Sequence, residues 1–181
     1  SLNPEKPTDM TEDIIPEAVK SGEAVLLDGK GYYKRITTPE AFLDCQRHML
    51  YNENMSLKLT ENNFSGAAIG EPVYIGENVS VMSGSVIESG SVIDNNAVVK
   101  GGKVNGYVGI GSVVSERCDI NRAVVCRGAV LDNGVKCGEY SVIGEKAHIA
   151  SEAVIEKGVG IWSGKTVEKG ARLYENVKRS S

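Results

Sequence analysis

A six-residue beat limits what this chain can fold into more than any other feature. Ile69, Ile75, Val81, Ile87, Ile93 and Val99 stand six apart, and two residues before each comes Ala67, Val73, Val79, Ser85, Ser91 or Ala97. With Ile, Leu and Val making up roughly a quarter of the chain, six aliphatics fall into one such register by chance about once in several thousand trials. The beat resumes later as Val125, Leu131, Cys137, Ile143, Ile149, Ile155, Ile161, Val167 and Leu173, with Ala123, Ala129, Val135, Ser141, Ala147, Ala153 and Val159 two residues earlier. Between these positions recur Gly and Asn, among them Asn78, Gly84, Gly90 and Asn96, which tolerate the positive φ of a tight corner. Each hexad therefore offers an inward aliphatic, a small inward residue and a turn. Three of them close a triangular coil of roughly 18 residues, and successive coils stack as parallel strands ~4.8 Å apart. The expected fold is mainly β, a left-handed parallel β-helix over residues 61–181.

Composition agrees with a stack of thin coils rather than a globular core. Twenty-one Gly stand against five Pro and ten aromatic residues, so the interior is built from small and branched side chains. A net charge of −4, with no run of like charges, argues against a nucleic-acid partner or an anionic membrane surface. No apolar run approaches the ~20 residues of a membrane span, and Ser1-Leu2-Asn3-Pro4 does not open a signal peptide. The expectation is a cytoplasmic protein. Cys45, Cys118, Cys126 and Cys137 lack C-x-x-C spacing and the chain has two His, so reduced thiols and no metal site are expected. Cys137 occupies an inward hexad position.

The beat is interrupted once. From Val99 to Val125 the count is four hexads plus two, which predicts a short insertion or register slip, with a bulge at Gly101-Gly102 or Asn105-Gly106 and a protruding loop suited to binding.

Residues 1–60 lack the period. Ile14, Ile15, Ala18 and Val19 give a helical face over Thr11 to Lys20, shortened or kinked by Pro16. Glu23 to Asp28 and Tyr32 to Ile36 read as short strands. Thr38-Pro39-Glu40 opens a helix reaching about Tyr51, with Thr38 as cap and Pro39 at the first helical position. Residues 55–66 read as a linker. Parallel stacks leave edges at both ends; the helix is expected to cover one and the charged tail from Glu175 to blunt the other.

Chemistry-bearing residues are few. His148 precedes inward Ile149 and so points outward, where the base of a hexapeptide acyltransferase would stand; no other residue nearby completes an obvious acceptor site. Trp162 follows inward Ile161 and is expected outside, as a contact with another domain or subunit. No phosphate-binding or dinucleotide loop is present.

The segment Gly31-Tyr32-Tyr33-Lys34-Arg35-Ile36-Thr37-Thr38-Pro39-Glu40-Ala41-Phe42 resembles the G-Y-W-x-D-I-G-T-P-E-x-Y signature of sugar-1-phosphate nucleotidyltransferases, and Glu12-Asp13-Ile14-Ile15-Pro16 resembles the D-I-I-P opening that family's last helix. Val124-Val125-Cys126-Arg127-Gly128-Ala129 and Val159-Gly160-Ile161-Trp162-Ser163-Gly164-Lys165 are similar to the β-helix of mannose-1-phosphate guanylyltransferases, including those fused to a phosphomannomutase-like domain. The resemblance implies that residues 1–60 are the remnant of an α/β nucleotidyltransferase domain. The chain would then be the C-terminal part of a nucleotide-sugar pyrophosphorylase, inactive alone and without a cofactor of its own. Mg²⁺ and a nucleoside triphosphate would serve the parent enzyme. The β-helix would be an assembly or regulatory module that docks the rest of that domain and pairs subunits into a homo-oligomer. Arg35 falls where the family has its Mg²⁺-ligating Asp; a guanidinium has donors and no acceptor, so it cannot ligate a metal and could instead bind phosphate. Two alternatives stay open: a hexapeptide acyltransferase using His148, and a non-catalytic structural or regulatory homologue.

Overall fold

The computed structural model describes residues 9–25, 29–52, 64 and 66–177. Two compact units divide after Tyr33. In the first, Asp9 caps the opening turn by accepting from the amides of Thr11 and Glu12 at 2.7 and 2.9 Å. A wide π-type turn over Met10–Ile14 passes into α1, Ile15–Lys20, with Pro16 in its first turn, where proline removes no helical hydrogen bond. The strand expected over Glu23 to Asp28 has Leu26 to Asp28 outside the described residues. That expected over Tyr32 to Ile36 is absent: the segment pairs with no neighbouring strand, and a strand without a ladder is not stable.

In the second unit the hexads outside the interruption fold alike: a two-residue strand with its first side chain outward and its second inward, then a corner. The strands form three parallel faces of a left-handed β-helix with six turns. Face 1 carries Ala68–Ile69, Val86–Ile87, the starts of Lys103–Val108 and Asp119–Val125, then Lys136–Cys137, Val154–Ile155 and Arg172–Leu173. Face 2 carries Tyr74–Ile75, Val92–Ile93, the ends of those same two long strands, Val142–Ile143 and Gly160–Ile161. Face 3 carries Ser80–Val81, Val98–Val99, Val113–Val114, Val130–Leu131, His148–Ile149 and Thr166–Val167.

The inward residues form one continuous core from Val73 to Val167, in which Ile87, Ile93, Leu131, Ile143, Ile149 and Ile155 are among the largest wholly buried side chains. Each contributes about 1.5–3 kcal/mol, and only stacked coils bury them. Cys137 sits in this core as expected, and burial pushes its thiol above the ordinary cysteine range.

The interruption holds fewer residues per coil, not an inserted loop. Ala68 lies beside Val86, eighteen residues on, but Val92 lies beside Tyr107 and Val98 beside Val113, fifteen on; eighteen returns at Val124 and Val142. Val104, Val108, Val114 and Ile120 fill the interior between Val99 and Val125, so five faces occupy an interval that the beat counts as four. Lost corner residues let Lys103–Val108 and Asp119–Val125 run straight from face 1 to face 2. The bulge does lie between Asn105 and Gly106, as expected. Gly106 has φ +146°, and a Cβ there would meet the backbone of Ala123, with the amide nitrogen at 2.9 Å. Only glycine fits.

The shortened corners lack some ladder partners, and two buried serines supply them. Ser85 Oγ accepts from the Gly101 amide at 2.9 Å and donates to the Val99 carbonyl, while Ser91 Oγ accepts from Gly106 at 3.3 Å and donates to Val104.

α2, Pro39–Asn52, has the expected cap: Thr38 Oγ1 accepts from the Ala41 amide at 3.1 Å. It does not cover an end of the stack. It lies on the flank beside the shortened coils, burying Leu43 and Leu50; Gln46 donates to the carbonyls of Gly90 and Gly106, and Phe42 meets Tyr107 edge to face at 5.4 Å. The reason is the outward column of face 2, Tyr74, Val92, Tyr107, Val124 and Val142, which is apolar and needs a cover that the ends do not. The expected linker lies mostly outside the described residues; Phe64 packs on the core. Val177 bridges Ile161 at the other end, and the tail beyond it lies outside the described residues.

Candidate active site

His148 stands outward on face 3 because its neighbour Ile149 takes the inward place. Its rung partners are Val130 on one side and Thr166 on the other. Asp132 lies two residues past Val130 and so on the same side of the chain. Its Oδ2 is 3.0 Å from His148 Nε2. Both side chains keep contact with water, at 47% and 37% exposed. Their backbones are fixed within rungs: the His148 amide donates to the Lys165 carbonyl at 2.8 Å, the Asp132 amide donates to Ile149 at 2.9 Å, and the Asp132 carbonyl accepts from the Cys118 thiol at 3.0 Å. A carboxylate facing Nε2 selects the tautomer with the proton on that nitrogen and leaves Nδ1 as a free lone pair. An oriented imidazole of this kind can take a proton from an incoming nucleophile.

Asp132 is the candidate site residue that sequence reasoning missed. The signal was present in the coil arithmetic: the rung partner of a residue lies eighteen positions back, and the side chain two further along points the same way. That the residue sixteen before His148 lies beside it follows from the fold; that it is acidic is read from the sequence.

The other candidates are not brought here. His48 lies on α2, where the Asn52 amide donates to its carbonyl at 3.0 Å. Arg35 is exposed in the segment before α2. Trp162 is 53% exposed at a corner, outside as expected. Burial pushes the thiols of Cys118 and Cys126 upward as it does Cys137, so none of the three is a ready thiolate. Among the described residues no three His, Cys, Asp or Glu gather to hold a metal ion, and no helix is long and apolar enough to cross a membrane.

No family model matches the chain, and no curated protein matches it. Among solved structures it is similar to PerB from Caulobacter crescentus, determined in complex with CoA and GDP-perosamine, with 25% identity over 60% of this chain and 48% of that one and a TM-score of 0.34. It is similar also to the acetyltransferase domain of PglB from Neisseria gonorrhoeae, with 22% identity over 59% and 48% and a TM-score of 0.28. A third is UDP-N-acetylglucosamine acyltransferase from Campylobacter jejuni, with 16% identity over 59% and 67% and a TM-score of 0.29. The chain spans about half the length of the first two. The expectation that the chain is the C-terminal part of a mannose-1-phosphate guanylyltransferase-like nucleotidyltransferase is corrected: the solved structures it is similar to include acetyl- and acyltransferases, a perosamine N-acetyltransferase from Caulobacter crescentus among them. Among the described residues before Phe64 there are helices and no strand. What the repeat segments share with that family is the hexad itself, which many chemistries use.

Proposed function

We propose that this chain is a hexapeptide-repeat acyltransferase module in which His148 is the general base and Asp132 orients it. The 3.0 Å contact between His148 Nε2 and Asp132 Oδ2 on an open face carries the reading. In the step it implies, an amine or hydroxyl of the acceptor attacks the carbonyl carbon of an acyl thioester. His148 Nδ1 takes the nucleophile's proton, the carbonyl re-forms, and the thiolate leaves and is protonated. Asp132 holds the imidazolium that forms between these events. Acyl-CoA is the donor class, and the homo-oligomer expected of the β-helix belongs to the same proposal.

The test is acetyl-CoA titrated into the protein by calorimetry, followed by chromatographic detection of free CoA with a panel of amino- and hydroxy-sugar nucleotides. The expected result is binding and acceptor-dependent CoA release, reduced about 10²–10⁴-fold in His148→Ala, as loss of a general base requires. Absence of acetyl-CoA binding, or release unchanged in His148→Ala, overturns the assignment.

A further inference from the structure

α2 does not seal the apolar column beneath it. A trough runs on both sides of Phe42. On one side, a groove of about 310 Å³ is walled by Cys45, Met49 and Leu50 of the helix and by Tyr74 and Val92 of face 2. On the other, a groove of about 500 Å³ is floored by Val124 and Val142 and bordered by Thr37, Thr38 and Arg127. Ile36, Phe42 and Tyr107 line both, so the two grooves adjoin at these side chains. The first groove is almost wholly carbon. Gln46 turns its amide to the carbonyls of Gly90 and Gly106, and the Tyr107 hydroxyl donates to Asp94 at 2.9 Å and so is engaged elsewhere. Ile36 and Met49 stand 52% and 41% exposed, which is apolar surface left facing water. The second groove ends in a charge: Arg127 is exposed and has no carboxylate within ion-pair distance among the described residues.

We propose that this trough binds a single-chain amphipathic anion of the medium-chain fatty-carboxylate class. The chain would lie in the carbon-lined groove against Val92 and Met49, pass Phe42 and Tyr107, and place its carboxylate at the Arg127 guanidinium. The argument is the polarity across two adjoining grooves, from almost pure carbon in one to a cation unpaired among the described residues at the border of the other. A guanidinium matches a carboxylate in shape as well as in charge. The site lies on face 2 and the histidine on face 3, so it does not depend on the acyl-transfer assignment.

Decanoate and decanol, each titrated into the whole chain by calorimetry, test this, with circular dichroism as the check on folding. Decanoate is expected to bind once per chain. Arg127→Gln weakens decanoate about tenfold and leaves decanol unchanged, whereas Met49→Glu, at an exposed helix position, weakens both. No decanoate binding by the folded protein overturns the proposal, as does equal loss of the two ligands in Arg127→Gln. A wild-type chain that dimerises in sedimentation, and ceases to in Met49→Glu, overturns it as well, because the trough is then an interface between copies.

Discussion

Replacing Ser91 by Ala and Ser141 by Ala removes the same hydroxyl from two sites of equal burial, and the structure assigns them opposite outcomes. Both residues occupy the small inward position of a hexad and are wholly buried. Ser91 Oγ accepts from the Gly106 amide at 3.3 Å and donates to Val104 at 3.2 Å. Val104 already accepts from the Glu88 amide at 2.8 Å, so its carbonyl stays satisfied without the serine. The Gly106 amide does not, since the coil is short at that point and the serine is its partner. An orphaned buried donor costs about 1–3 kcal/mol, and about 2 kcal/mol is expected for Ser91→Ala. Ser141 Oγ has no hydrogen-bond partner among the described residues. Ser141→Ala would place there the methyl group that Ala97, Ala123, Ala129, Ala147 and Ala153 already bring to this hexad position, and would remove an unsatisfied hydroxyl. The expected change is neutral or up to about 1 kcal/mol stabilising. For a chain of this length 2 kcal/mol corresponds to roughly 4–8 °C in Tm. Thermal melts of the wild type and both variants, followed by far-ultraviolet circular dichroism, read the difference. Because the chemical change is identical, effects on the unfolded chain cancel between the variants. Equal melting temperatures, or a lower one for Ser141→Ala, would refute the account of the shortened coils.

Gly106→Ala, at φ +146° against the Ala123 backbone, is expected to destabilise by about 3 kcal/mol or more and to loosen α2, whose Gln46 bonds the Gly106 carbonyl; proteolysis near residue 52 would report the loosening. Glu88 is held below its ordinary 4.5 chiefly by its hydrogen bond with Lys103 and then by Asn105, against the opposing effect of burial. Its contribution is therefore present above 4.5 and lost as pH falls through the lower folded value, so the wild type should lose more Tm than Glu88→Gln between about pH 5 and pH 3. With a thiol reagent at neutral pH, Cys45 should label in the folded protein, Cys126 more slowly because burial raises its thiol, and Cys118 and Cys137 only on unfolding; early labelling of Cys137 would contradict its place in the core. Asp132→Asn should slow acyl transfer by about 10²-fold or more by favouring the wrong histidine tautomer, measured as acceptor-dependent CoA release.

Particular residues show why some of this was legible in the sequence and some was not. The inward positions were readable because burial in a β-helix is periodic and aliphatic: every hexad residue from Ile75 to Val167 is buried as the beat requires. Asn78 and Asn96 announce left-handed corners, but Arg117, Tyr140, Lys146 and Glu152 adopt the same positive φ, held by the ladder on both sides rather than by their own preference. The interruption misled because counting sixes treats a deficit as a surplus. Two residues over four hexads and four short of five are the same arithmetic, and only the rung pairing separates them. The twelve residues from Gly31 to Phe42 misled for a different reason. A Thr-Pro-Glu helix start satisfies local capping physics in any fold, so its presence says little about the sheet it came from.

The faces of the triangle differ in what their outward columns ask for, and this separates the proposed site from the helix. Face 1 shows Lys103, Asp119, Lys136 and Arg172 to water, where Lys103 pairs with Glu88 at 2.8 Å and Arg172 with Glu156 at 2.6 Å. It needs no cover. Face 2 shows Tyr74, Val92, Tyr107, Val124 and Val142, and burying these draws in α2. The helix can approach because the shortened coils draw the corner at Gly106 in beneath Leu43 and Gln46, leaving there a gap lined by Gly90 and Gly106. Face 3 shows Val98, Val113 and Val130, then His148 and Thr166, half-exposed along the valines and with no helix upon it among the described residues. An ionisable pair at the end of an aliphatic stripe is open to solvent on one side and flanked by carbon on the other. A second surface laid on those valines would exclude water from one side of the His148 ring and strengthen its interaction with Asp132. The reach of the dyad therefore depends on what meets face 3, while α2 on face 2 can be altered without moving either member of the pair.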